Sequence, residues 1–163
     1  MSPSDAANVV NEYIKSKNLR FERQTVGNHI VFSGKYAQLC SNFDFVPVRI
    51  FIEELAVQTF VYFPIKIPNE KMSAVTEYFS RANFMLKFGR FEFDFRDGEA
   101  RFQFAQALGV LNGPEAQQAL AVQLDAPLFA FNTYGDGVVR IVRNDESPSV
   151  VVDECVRRSL EES

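Results

Sequence analysis

Apolar positions in this chain recur first every three or four residues and then every second one, a change of period that separates helix from strand. Val9, Val10, Tyr13 and Ile14 form a helical stripe, and Ser4 ahead of it supplies an N-cap with Asp5 near the positive end of the helix dipole. The stripe predicts a helix ending near Lys17 or Asn18. Leu19, Phe21 and Thr25 then alternate with Arg20, Glu22 and Gln24. Beyond Gly27-Asn28, Ile30, Phe32 and Tyr36 alternate with His29, Ser33 and Lys35. Two alternating runs around such a dipeptide predict a hairpin with a two-residue turn, because glycine and asparagine accept positive φ.

A loop near Cys40 to Asp44 leads to a second pair of strands, residues 46 to 54 and 57 to 65, turning around Glu54 and Leu55. Pro64 and Pro68 end this pair, since proline cannot donate to a strand ladder. Asn69 then caps a helix whose Met72, Val75, Phe79 and Ala82 fall at spacings that read as core packing. A third hairpin lies in FEFDFRDGEARFQF, residues 91 to 104. With Asp97-Gly98 as a type I′ turn, Arg96 opposes Glu99, Asp94 opposes Arg101 and Phe93 opposes Phe102, giving one phenylalanine face and one charged face. Upstream, Phe84, Leu86 and Phe88 have the opposite parity to Phe91, Phe93 and Phe95, which predicts a bulge near Gly89 and Arg90.

Gly113-Pro114-Glu115 opens a further helix, with proline at its first position. Residues 128 to 143 fit two periods. Leu128, Phe131, Gly135, Val138 and Val142 suit a helix, whereas Gly135-Asp136-Gly137 suits the turn of a hairpin. Two glycines cost a helix about 1 kcal/mol each, so local signals favour the hairpin. Ser147, with Pro148 behind it, caps a final helix through Val151, Val152, Cys155 and Val156. The elements add up to one α+β domain over residues 1 to 163, a twisted antiparallel sheet with helices packed on one face.

Composition narrows the functional classes. The chain is 47% hydrophobic and 23% charged, as ordinary globular domains are, and unusual only in its seventeen Phe and five Tyr without Trp. A net charge of −4 and a pI near 5.1 oppose nucleic acid and anionic lipid, so neither nucleic acid nor membrane is expected as a partner. No apolar run approaches the eighteen or so residues that span a bilayer. No secretory leader precedes the two distant cysteines, Cys40 and Cys155, which points to reduced thiols in the cytoplasm.

Candidate chemistry is sparse. His29 is the only histidine and sits at a hairpin end, which removes most nucleophile–histidine schemes. No CxxC, HExxH or Cys/His cluster is present, and Gly135-x-Gly137 lacks the rest of a dinucleotide fingerprint. Glu92, Asp94, Asp97 and Glu99 cluster in sequence, but cross-strand pairing with Arg96 and Arg101 explains them, and paired exposed carboxylates make poor general acids. No catalytic, cofactor or metal site is therefore expected.

The second strand pair is different. Turning at Glu54-Leu55, it places Val48, Ile50, Ile52, Val57, Thr59, Val61 and Phe63 on one face, and Arg49, Phe51, Glu53, Gln58, Phe60 and Tyr62 on the other. Aromatics mixed with arginine and polar groups have the composition of an interface core. Arg49, Phe51, Phe60 and Tyr62 are thus a candidate interaction surface for a protein partner or a second copy in a homodimer. The alternative is that a terminal helix of the same chain covers them.

Two segments, EYFSRANFMLKFGRFEFDFRDGEARF at 77 to 102 and SPSVVVDECV at 147 to 156, resemble the YbjN-like family of bacterial sensory transduction regulators, whose fold is that of type III secretion chaperones. The first is similar to the family's helix, Asn, strand and Asp-Gly hairpin, the second to its C-terminal turn and helix. The resemblance implies that residues 114 to 143 are mostly helical, and that reading is adopted over the local hairpin signal. It also implies a non-catalytic, chaperone-like or regulatory role through protein contacts, and it supplies no functional residues. The alternative function is a small-molecule sensor with a Phe-lined apolar cavity between sheet and helices; a hydrolase would need unpaired carboxylates or an activated thiol.

Overall fold

Ser2, rather than Ser4, caps the first helix, α1 (Pro3–Ser16). Its hydroxyl accepts from the Asp5 amide at 3.2 Å while the Asp5 carboxylate accepts from the Ser2 amide at 3.2 Å, a reciprocal box that Ser4 has no partner to match. The computed structural model describes residues 1 to 163 and continues with β1 (Glu22–Val26), β2 (His29–Cys40), β3 (Phe43–Ile52), β4 (Ala56–Lys66), α2 (Met72–Met85), β5 (Arg90–Phe93), β6 (Glu99–Ala107), α3 (Ala116–Asn144) and α4 (Pro148–Glu162). All six strands form one antiparallel sheet in the order β1-β2-β3-β4-β6-β5, giving the expected α+β class.

The first two turns fall where the alternation puts them. Val26 pairs with His29 around Gly27-Asn28, and Ile52 pairs with Val57 around Glu54-Leu55. Between them, the expected loop from Cys40 to Asp44 shrinks to Ser41-Asn42. The cause is distant in sequence: the carboxylate of Asp136 on α3 accepts from the Ser41 amide at 3.1 Å and the Asn42 amide at 3.0 Å, and so fixes this turn.

Three local expectations near the middle of the chain are corrected. A 3-10 turn, Asn69–Lys71, precedes α2, and Asn69 makes no capping bond. α2 continues through Phe84 and Met85, so the parity change needs no bulge; the helix simply ends, and Gly89 at φ +72 redirects the chain into β5. The third hairpin is shifted by two residues, pairing Phe91 with Phe102, Glu92 with Arg101 and Phe93 with Ala100. Its loop is longer because Asp94 accepts from the Arg96 amide at 2.8 Å and Asp97 from the Glu99 amide at 2.9 Å, local side-chain turns that displace the two-residue turn. Arg101 consequently pairs with Glu92 at 2.7 Å, Arg96 with Asp94 at 2.6 Å, and Asp97 with Lys66 at 2.9 Å. A shift of two preserves the faces, so phenylalanine still points inward.

Residues 128 to 143 are helical, within a 29-residue α3. Tertiary contact explains glycines in that helix. A Cβ on Gly137 would lie 2.0 Å from Tyr78 Oη, so α2 approaches α3 this closely only because that side chain is missing; one on Gly135 would lie 3.1 Å from Cys40 Sγ, a tight contact that a small shift relieves. Tyr78 uses the approach to donate to the Tyr134 carbonyl at 2.6 Å.

The buried face of the sheet carries Val48, Ile50, Ile52, Val57, Val61 and Phe63 and is covered by α1, α2 and α3, with α4 packed on α2 and α3. Phe63, Phe79, Phe91 and Phe131 fill the space between the layers ring against ring, with centroids 4.5 Å apart for Phe63–Phe131 and 5.2 Å for Phe79–Phe91. Polar groups fix where α3 sits. The buried Gln123 side chain donates to Thr59 Oγ1 at 2.9 Å and to the Phe104 carbonyl at 3.0 Å, and accepts from Gln106 at 2.7 Å. At the margin of the sheet, the Asn83 side chain accepts from the Phe91 amide at 2.7 Å and donates to its carbonyl at 2.9 Å, tying the end of α2 to β5.

Candidate interaction surface

Alternation along β3 and β4 directs Arg49, Phe51, Phe60 and Tyr62 away from the helices. The register sets Arg49 opposite Phe60 and Phe51 opposite Gln58, so the four side chains become neighbours on one patch. None of the three aromatics belongs to the core or packs against it, and each is partly exposed. The terminal helices pack elsewhere: α1 lies on the buried face and α4 on α2 and α3.

The rings order one another. Phe51 and Phe60 meet edge to face with centroids 5.5 Å apart, and Tyr62 follows at 6.3 Å from Phe60. Cations lie over them. The Arg101 guanidinium is 4.2 Å from the Phe60 centroid, Arg49 is 5.9 Å from Tyr62, and Lys35 is 4.8 Å from the more exposed Phe45. Each such contact contributes about 0.5–1 kcal/mol at an exposed site, enough to hold side chains in place but not to cover them. Partial burial raises the Tyr62 phenol above its usual range, against the opposing pull of Arg101 and Arg49.

Arg101 is neutralised by Glu92, whereas Arg49 and Lys35 have no carboxylate within salt-bridge distance. Beside the rings, a hollow of about 400 Å³ opens between Arg49, Tyr62, Pro64, Lys66 and Glu99. The patch therefore offers rigid aromatic area, two free cations and the side-chain amide of the half-buried Gln58, whose carbonyl accepts from the buried Gln103 at 3.3 Å.

No family model, curated protein or solved structure matches this chain.

Arg101 and Gln103 complete the patch from β6, and sequence alone gave no signal for them because α2 intervenes between β4 and β6 and their pairing cannot be inferred from local periodicity. Lys35 falls in a strand by its alternation, but Phe45 lies between the expected loop and the strand expected from residue 46, and the two become neighbours only because the hairpin that depends on Asp136 extends β3 back to Phe43.

The remaining candidates for chemistry lie apart. His29 is exposed at the end of β2, 3.8 Å from Glu53. Burial pushes the Cys40 thiol up to about 12, reinforced by the Asp136 charge, and burial likewise raises Cys155. Neither thiol presents a thiolate at neutral pH. Asp94 is held down at about 2 by hydrogen bonds from the Arg96 side chain and amide. Asp136 is buried, which on its own would raise its carboxyl, but the bonds from Asn42 and Ser41 outweigh burial and leave it below the usual carboxylate range. It is a turn-holding group, fully engaged with the chain around it. No helix is long and apolar enough to cross a membrane.

Proposed function

We propose that this chain is a non-catalytic, cytoplasmic protein-binding module of chaperone-like or regulatory type, and that it binds through the open face of its sheet. The observation that supports this most is the ordered aromatic strip of Phe51, Phe60 and Tyr62, left uncovered by every helix and flanked by Arg49 without an acidic partner. Rings already fixed by their neighbours lose little conformational entropy on binding, which is why such side chains dominate interface energetics. The similarity of residues 77 to 102 and 147 to 156 to the YbjN-like family agrees with this role. A sensing role has less support: phenylalanines fill the interlayer space, and the apolar hollow beside Met85, Phe88 and Phe129, about 450 Å³, opens to solvent.

The test uses immobilised wild-type protein and a Phe51→Ser/Phe60→Ser variant, each checked by circular dichroism, to capture proteins from native lysate. A protein retained stoichiometrically by the wild type and lost by the folded variant supports the proposal. Equal retention by both removes the sheet face from the binding function.

A further inference from the structure

On the opposite side of the molecule a groove of about 630 Å³ opens between α2 and α4, lined by the exposed apolar side chains of Phe84, Met85 and Leu160, with Val150 exposed on the same helix as Leu160. Phe84 is 89% exposed, Leu160 72% and Val150 52%. On α4 the outward positions are Val150, Asp153, Arg157 and Leu160, all exposed and spaced three, four and three residues apart. That spacing is one seam of a helix pair, a run of a and d positions.

The order of these four residues is its own complement. Laid antiparallel against an identical helix, with the symmetry axis passing near Cys155, Val150 falls opposite Leu160 and Asp153 falls opposite Arg157, in both directions at once. A two-fold interface demands this pattern: each residue must suit the residue that symmetry brings to it. Nothing within the chain uses the two charges. Asp153 and Arg157 are one helical turn apart on the same face, yet neither forms an ion pair or a side-chain hydrogen bond, although Arg140, Glu146, Glu154 and Arg158 around them are all paired. Phe84 sits at the Leu160 end of the groove, where the antiparallel arrangement delivers Val150 of the other copy. A phenylalanine side chain supplies roughly 150 Å² or more when buried, so two copies of Phe84, Leu160, Met85 and Val150 bring the contact into the range of a specific dimer.

We infer that α4 is a homodimerisation helix, pairing antiparallel with α4 of a second copy through Val150, Asp153, Arg157 and Leu160, with Phe84 buried at either end. This surface is separate from the sheet face and leaves that face open in both copies.

Charge exchange tests the inference without disturbing the fold, because both side chains are exposed and unpaired. Sedimentation equilibrium is measured for wild type, Asp153→Arg, Arg157→Asp and the double exchange Asp153→Arg/Arg157→Asp. Wild type is expected to dimerise reversibly; each single exchange sets like charges opposite each other twice per dimer and weakens association at least about tenfold, and the double exchange returns it to near the wild-type value. A monomeric wild type overturns the inference and leaves the groove to a different helix. So does a dimer indifferent to the single exchanges, which would place the contact on another face.

Discussion

Replacing Gly137 with alanine is the sharpest probe of how α3 meets α2. In an unencumbered helix the change would stabilise by about 1 kcal/mol, because glycine gives up more backbone freedom on folding. Here the new Cβ would stand 2.0 Å from Tyr78 Oη, 2.5 Å from its Cζ and 2.9 Å from Val151 Cγ1. Tyr78 is fully buried and cannot swing into solvent. Relief requires shifting the ring or separating the helices, at about 1–3 kcal/mol for overpacking, and loses the 2.6 Å bond to the Tyr134 carbonyl, worth about 1 kcal/mol. The expected net is a destabilisation of about 1–3 kcal/mol. Gly135→Ala serves as the control, since its Cβ would meet Cys40 Sγ at 3.1 Å and Phe131 Cδ1 at 3.3 Å, contacts that small movements relieve. There the helical gain and the packing cost are about equal, and the change in stability should lie near zero. Urea unfolding followed by far-ultraviolet circular dichroism measures both, with the midpoint falling for Gly137→Ala at unchanged slope. A Gly137→Ala protein as stable as wild type would refute the argument that this glycine exists to admit Tyr78.

Two further outcomes follow from groups outside the proposed surfaces. Asp136→Asn keeps the shape but loses the charge that holds Ser41 and Asn42, and should cost about 1.5–3 kcal/mol at pH 7. Because the folded carboxyl titrates below its unfolded value of about 3.9, its contribution is present above that pH and lost as pH falls through the folded value; the gap between wild type and variant, measured by urea unfolding at several pH values, should narrow only below about pH 4. Both cysteines should alkylate far more slowly with iodoacetamide at pH 8 in the native protein than in urea, as followed by mass spectrometry. A native rate matching the denatured one at Cys40 would contradict its raised thiol.

What the sequence disclosed and what it withheld divide along the range of the interactions. The alternation around Gly27-Asn28 and Glu54-Leu55 is local, and both hairpins and the outward direction of Arg49, Phe51, Phe60 and Tyr62 were readable from it. Gly135 and Gly137 misled the local reading because the helix around them is packed against distant groups, and the one that demands glycine, Tyr78 at Gly137, lies far away in the chain. The Ser41-Asn42 turn was hidden for the same cause, its anchor being Asp136. Asp94 and Asp97 erred in the other direction: their side-chain bonds to nearby amides are more local than strand pairing, and they shifted the register of the third hairpin by two. The patch itself was half legible, since its β3 and β4 members share a hairpin while Arg101 joins only through a non-sequential strand neighbour.

The bond pattern at Asn83 bears on what happens when two sheets meet. Its carboxamide gives Phe91 the acceptor and donor that a passing peptide group would, so β5 already has the equivalent of one residue of a seventh strand. An incoming strand must evict that stopper before it can pair at this margin. The other margin, β1, has five exposed residues and no such plug, only the charges of Glu22 and Arg23 to discourage company. A sheet with one growable side can join another like it only once: two molecules meeting through β1 leave a plugged β5 at each outer end, so strand addition stops at a closed pair instead of running on into a fibre.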